Sequence, residues 1–181
     1  MDSVGENDKM FFYDEMLAEC EKNFRWDRAL FYLERLYSVK QNGAVLNTIV
    51  GNSWLYAVEG TSISGQYDHQ LDDMCLCIWK KYIDIGETIA NNDPEFCFIA
   101  GYTLSLHGFL IGDSYEKKGN MFIKKCLKLT NASPLHKLAE NFVLNETALQ
   151  RIHLQDEKNI CQQIFAGNSL LEHYFTEIFE Y

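Results

Sequence analysis

The nearest approach to a metal site in this chain is Cys75-x-Cys77, with His69 six residues ahead of Cys75. Zinc takes four nitrogen or sulfur ligands, commonly supplied as two close pairs. Here one pair exists, and helical residues two apart point about 200° apart, so both thiols cannot face one ion. Cys75 therefore reads as a core thiol and Cys77 as a residue packed against a neighbour. Asp72-Asp73 has the composition of a general acid–base pair, but adjacent helical side chains diverge, and that chemistry needs a partner from another element. A solvated face is the expected role. The five histidines (69, 107, 136, 153 and 173) form no HExxH pair. His107, inside the most apolar segment, is expected to be a hydrogen-bonded core residue and His136 a surface one. Gly101, Gly108, Gly112 and Gly119 suit close helix packing and caps, and build no phosphate-binding loop. Lys117, Lys118, Lys124, Lys125 and Lys128 form a basic stretch without interleaved aromatics, so a solvated face paired with acids of a neighbouring helix is expected. No catalytic, cofactor-binding or metal-binding residue is assigned.

The chain has 181 residues, enough for one helical domain with a substantial core. Its apolar fraction of 47%, with 14% aromatic residues, excludes a disordered acidic tail. Only two prolines interrupt it, Pro94 and Pro134, which permits long helices. The polar, acidic start is no secretory signal, and the apolar run Phe96–Gly112 is broken by Thr103, Ser105 and His107, which marks a core helix in place of a membrane span. Six cysteines without an export signal read as reduced, buried thiols, and the cytoplasm is the expected location.

Helical periodicity dominates the elements that must position these side chains. Met10, Tyr13, Met16, Leu17 and Cys20 mark one helix face. A second helix spans Asp27–Val39, with Asn42-Gly43 as its stop. Ala44–Val58 forms a third, ended by Gly60 and a loop over 61–65, where the chain could be subdivided near 60–66. Residues 67–91 follow, with Leu71, Met74, Cys75, Ile78, Tyr82, Ile85 and Ile89 on one stripe. Asp93 caps the next helix and Pro94 opens it. That helix runs through Phe96–Ile111, and Tyr115–Leu129 follows with Phe122, Ile123, Cys126, Leu127 and Leu129 inward. A helix over 134–150 and two short ones within 156–180, divided at Gly167-Asn168, complete the chain. Period-two alternation is missing, so the fold class is all-α, about nine helices in antiparallel hairpins.

The chain carries 26 carboxylates against 16 lysines and arginines, a net charge of −10. Residues 1–100 hold −9 of it, 101–150 hold +2 and 151–181 hold −3. Such a front half repels nucleic acid and attracts basic partners. The expected carriers of recognition, on an irregular segment beside rigid helices, are the carboxylates Glu59, Asp68, Asp72 and Asp73, with Trp54 and Tyr67 as aromatic anchors.

Ala100-Gly101, Leu104 and Gly108, followed by Gly119, Ile123 and Cys126-Leu127 with Pro134 beyond, resemble a degenerate tetratricopeptide hairpin with a longer turn. Asp27–Leu36 echoes the second half of that unit through Ala29, Leu33 and Leu36. Asp93–Ile111 and Lys124–Asn145 resemble, in overall pattern, small helical immunity proteins encoded beside bacterial toxins, including those of contact-dependent growth inhibition. That resemblance implies a tight complex with a cognate toxin C-terminal domain, often a cationic nuclease, whose active or substrate-binding surface is occluded. It implies a cytoplasmic inhibitor with no catalysis, cofactor, direct nucleic-acid binding or membrane contact. The alternative is a tetratricopeptide-like scaffold or secretion chaperone that holds a peptide segment in a groove.

Overall fold

The computed structural model describes residues 9–131, 133–147 and 155–178. Among them all regular structure is helical: α1 (Glu15–Lys22), α2 (Trp26–Lys40), α3 (Gly43–Ser64), α4 (His69–Ile89), α5 (Pro94–His107), α6 (Tyr115–Leu129), α7 (Pro134–Thr147), α8 (Gln155–Ile164) and α9 (Leu170–Ile178). A 3-10 turn at Gly108–Leu110 joins α5 to α6. None of these helices is long and apolar enough to cross a membrane. The ends expected for the helix over 134–150 and for the tail lie outside the described residues, as does His153.

Side-chain caps set several starts. Asp14 accepts from the Leu17 N–H at 2.9 Å, Asn42 from Val45 at 3.2 Å, and Asp93 from Glu95 at 2.9 Å, with Pro94 at the first helical position. Three boundaries differ from the sequence expectation. The first helix starts only at Glu15, because Asp14 caps it; Met10 and Phe11 precede it as buried, non-helical chain. The Phe12 N–H donates to Thr48 Oγ1 at 2.8 Å and the Asn47 amide to the Met10 carbonyl at 3.2 Å, which fastens that segment along α3. Asn42-Gly43 opens α3 and does not close α2; the left-handed residue that ends α2 is Gln41, at φ 45°.

The third difference concerns the loop expected at 61–65. Gly60 does not stop α3, which continues to Ser64 and ends at the left-handed Gly65, φ 69°. Gly60 is buried against Trp26, where an added Cβ would lie 3.8 Å from the indole nitrogen. Ser64 Oγ bonds back to the Gly60 carbonyl at 2.7 Å. Tertiary packing overrides the low helix propensity of one glycine, about 1 kcal/mol.

The core is built around α3, which packs on α2, α4, α5 and α9. Trp26, Trp54 and Trp79 are fully buried, and Phe11, Phe98, Phe165 and Phe175 form an aromatic cluster, the last two stacked at 4.7 Å. Full burial of each large aromatic contributes on the order of 2–3 kcal/mol before entropy. The α5–α6 seam is close, as the spacing of small residues implied. A Cβ on Gly101 would lie 2.6 Å from Ile123 Cγ1, and one on Gly108 2.6 Å from the Glu116 nitrogen. Some stripe positions are rotated outward: Met16 is 55% exposed, Ile89 60% and Leu129 41%. On α4 the inward face also takes Trp79, Ile83 and Gly86, with Gly86 directly against the Phe96 ring.

Candidate partner-binding surface

The turn between α3 and α4 produces an acidic corner. Gly65 reverses the chain, and Asp68 caps α4 by accepting from the Gln70 and Leu71 N–H groups at 3.0 and 3.2 Å. Tyr67 projects just before that cap, 71% exposed, and stacks on His69 with ring centroids 6.3 Å apart. His69 Nδ1 lies 3.7 Å from Asp73 one turn along. Asp72 is one turn from Asp68 on the same face. Partial burial raises the Asp72 carboxyl above its ordinary value; repulsion from Asp68 and Asp73 adds to the effect, and His69 opposes it. A cationic group docked here would relieve that repulsion. The Asp68 carboxylate is already engaged by two backbone donors, so Asp72 and, beside His69, Asp73 are the carboxylates left to answer an incoming charge.

The other two expected site residues lie elsewhere. Trp54 is completely buried and therefore no surface anchor: α3 is enclosed from Val45 to Tyr56, and a large apolar side chain in that stretch has only core to enter. Its ring meets Tyr174 edge-on at 5.1 Å, and its N–H donates to His107 Nδ1 at 3.2 Å. That bond needs an unprotonated Nδ1, and burial lowers the His107 pKa, with Glu59 opposing. His107 is thus the hydrogen-bonded histidine its apolar helix implied. Glu59 lines a hollow of about 440 Å³ together with Leu55, Ile63, Tyr174 and Glu177, and none of Tyr67, Asp68, Asp72 and Asp73 lines it. Tyr67, Asp68, Asp72 and Asp73 form one surface; Trp54 and Glu59 belong with α9.

Two expectations about charge and sulfur are resolved by placement. On α6, Lys118 pairs with Glu87 at 2.6 Å and lies 3.8 Å from Asp84, both on α4. Tyr115 donates to Asp84 at 2.7 Å and receives the Lys80 ammonium at 2.7 Å. The basic helix is partly answered internally, through Lys118, while Lys117, Lys124 and Lys128 face solvent. Cys75 is buried as expected, but Cys77 is exposed, not packed. Among the described residues no group of three or more His, Cys, Asp and Glu is arranged to hold a metal ion.

Two features escaped the sequence pattern. Glu21 on α1 is only 5% exposed and accepts from Tyr56 Oη at 3.2 Å and from the Leu170 N–H at 3.1 Å, tying α1 to the start of α9. The second is a wide groove between α1 and α2 that gathers three arginines and exposed apolar side chains. The helical stripe Arg28, Phe31, Tyr32 and Arg35 was its available signal.

No family model, curated protein or solved structure matches this chain. Surface chemistry has to carry the functional reading.

Proposed function

We propose that this chain is a cytoplasmic, non-catalytic inhibitor of the toxin-immunity kind, which binds a cationic bacterial toxin domain and covers its active or substrate-binding surface. The observation that carries this reading is the corner at the start of α4. There a 71% exposed tyrosine stacks on His69, which lies 3.7 Å from Asp73, with Asp72 adjacent in sequence, and no lysine or arginine takes part in a described ion pair at that corner. A tyrosine flanked by carboxylates supplies a rigid apolar contact together with charge complementarity to lysines and arginines. The net charge of −10 extends the attraction beyond contact distance. The hairpins are tetratricopeptide-like in this reading, with the α5–α6 seam closed through Gly101, Gly108 and Gly119 as in such a unit.

The test is capture and kinetics. The tagged chain is co-expressed with cationic toxin C-terminal domains, beginning with any that a neighbouring gene encodes, the complex is isolated, and association is measured for wild type and for Asp72→Lys/Asp73→Lys. This exchange changes the net charge by four units at one corner. Association should slow on the order of tenfold at low salt, and the difference should shrink as the Debye length falls toward about 8 Å at physiological ionic strength. An unchanged rate at low salt would remove the corner from the interface.

A further inference from the structure

The groove between α1 and α2 has a chemistry opposite to that of the protein as a whole. One wall is the α2 stripe Arg28, Phe31, Tyr32 and Arg35, which the helical repeat brings to one face; Met16 and Glu19 of α1 form the other, and Arg25 closes one end. The groove encloses about 720 Å³. Phe31 is 66% exposed, Met16 55%, and Phe24, at the turn between the two helices with φ 53°, is 48% exposed. Large apolar side chains held open to water together are the mark of a contact surface.

The nearby carboxylates already have partners. Asp14 caps α1 and accepts from Tyr32, Glu19 accepts from Asn23 at 2.7 Å, Asp27 pairs with Arg25 at 3.4 Å, and Glu34 pairs with Lys81 at 2.8 Å. Arg28 and Arg35 make no ion pair among the described residues, in a chain with ten more acids than bases. Two guanidiniums seven residues apart, bracketing an exposed phenylalanine, match a segment that presents carboxylates on either side of an apolar row.

We infer that the groove between α1 and α2 binds an acidic amphipathic helical segment of a partner protein, its apolar side chains on Met16 and Phe31 and its carboxylates on Arg28 and Arg35. This goes beyond the toxin-inhibitor reading and uses a different surface, so each can fail alone.

The probe is a synthetic helical peptide of about four turns, with leucines on one face and flanking glutamates, followed by fluorescence anisotropy on the full chain. Wild type should bind it. Arg28→Ala/Arg35→Ala and Phe31→Ser should each weaken binding on the order of tenfold, and Asp72→Lys/Asp73→Lys should not. All of these positions except the half-buried Asp72 are exposed, so the variants should keep the wild-type melting temperature. Equal binding of a peptide with lysine in place of glutamate would overturn the proposal, because apolar contact alone would then explain it. Preference for single-stranded oligothymidylate would overturn it in favour of nucleic acid. Binding that appears only when Asp2, Glu6 and Asp8 are changed to the corresponding amides would overturn it in favour of the chain's own acidic N-terminal segment as the occupant.

Discussion

Glu21 is the buried group whose removal has the most sharply defined consequence. Its carboxylate takes hydrogen bonds from Tyr56 Oη, from Tyr13 and from the Leu170 N–H, and the last of these serves the first turn of α9. Glu21→Ala leaves these donors facing a small cavity. An unsatisfied buried donor costs about 1–3 kcal/mol, and breaking a buried charged network typically costs about 3–5 kcal/mol in total, since such losses are not additive. Glu21→Gln keeps the shape and one acceptor oxygen, so it should stay within about 1 kcal/mol of wild type at neutral pH.

The two variants separate packing from charge. Burial raises the Glu21 pKa, with repulsion from Glu172 adding to it, against the three hydrogen bonds that lower it. The folded protein therefore holds this proton more tightly than the unfolded chain. Stability gains from Glu21 as pH falls from above its raised value toward the ordinary glutamate value of about 4.3, and that gain is lost again as pH rises. One proton sets the ceiling at about 1.4 kcal/mol per pH unit. His107 acts in the opposite direction: its lowered pKa means that stability is present above its unfolded value of about 6.5 and is lost as pH falls. In wild type the two groups act with opposite sign. Urea unfolding of wild type and Glu21→Gln at successive pH values from neutral to mildly acidic should thus show the variant losing stability more steeply on acidification. Parallel curves would mean that Glu21 is not charged and buried in the folded state, and the account of the α1–α9 tie would fail with it.

Three further outcomes follow from the packing. Gly119→Ala should destabilise by about 1–3 kcal/mol in urea melts, because the new Cβ would lie 2.7 Å from Ser105 Oγ and 2.9 Å from the Leu104 carbonyl carbon; helix propensity alone predicts a gain of about 1 kcal/mol, so the sign of the change decides between them. Asp93→Ala should cost about 1 kcal/mol of thermal stability by removing the acceptor for the Glu95 and Phe96 N–H groups, and Asp93→Asn should recover most of it. Of the six cysteines only Cys77 is exposed, and burial pushes Cys75 and Cys126 up to about 12 and Cys97 to about 11. Maleimide under native conditions should label one thiol rapidly, and Cys77→Ser should abolish that phase; a second fast thiol would contradict the packing.

Most helices were legible because their signals are local. The Asp93-Pro94 start, the Gly167-Asn168 break and the small-residue seam of α5 and α6 each involve a few residues whose conformational preferences agree with the fold. Gly60 was misleading for the same reason: its intrinsic preference is to end a helix, while Trp26, thirty-four residues away, favours its staying in one. Periodicity gave the inward faces to within one position. It placed Cys75, Ile78 and Tyr82 correctly, yet a rotation of α4 toward Trp79 and Gly86 left Ile89 in solvent. Trp54 shows the limit for sites: an aromatic beside acidic residues in sequence says nothing about which way its helix faces. Tyr67, Asp72 and Asp73 share a corner because a cap and a turn keep neighbours in sequence together in space. The α1–α2 groove needed two helices to be packed before its arginines had a shared surface.

The charge excess of the first hundred residues is not a single acidic face. Asp14, Asp68 and Asp93 hold helix starts, Glu21 is enclosed, and Glu34, Asp84 and Glu87 are answered by Lys81, Lys80 and Lys118. What still faces outward at the α4 corner is the pair Asp72 and Asp73, while Arg28 and Arg35 face outward a short way off on α2. The two regions meet at a hollow lined by Phe24, Arg25, Asp68 and Met74. Opposite charges on either side of that hollow impose an orientation on anything that touches both. A uniformly basic surface would gain at the corner and be repelled at the groove, and like-charge contacts of that kind discriminate between partners more strongly than attraction does. A single protein that covers both regions must therefore carry its basic patch and an acidic, apolar element side by side, in one relative direction only.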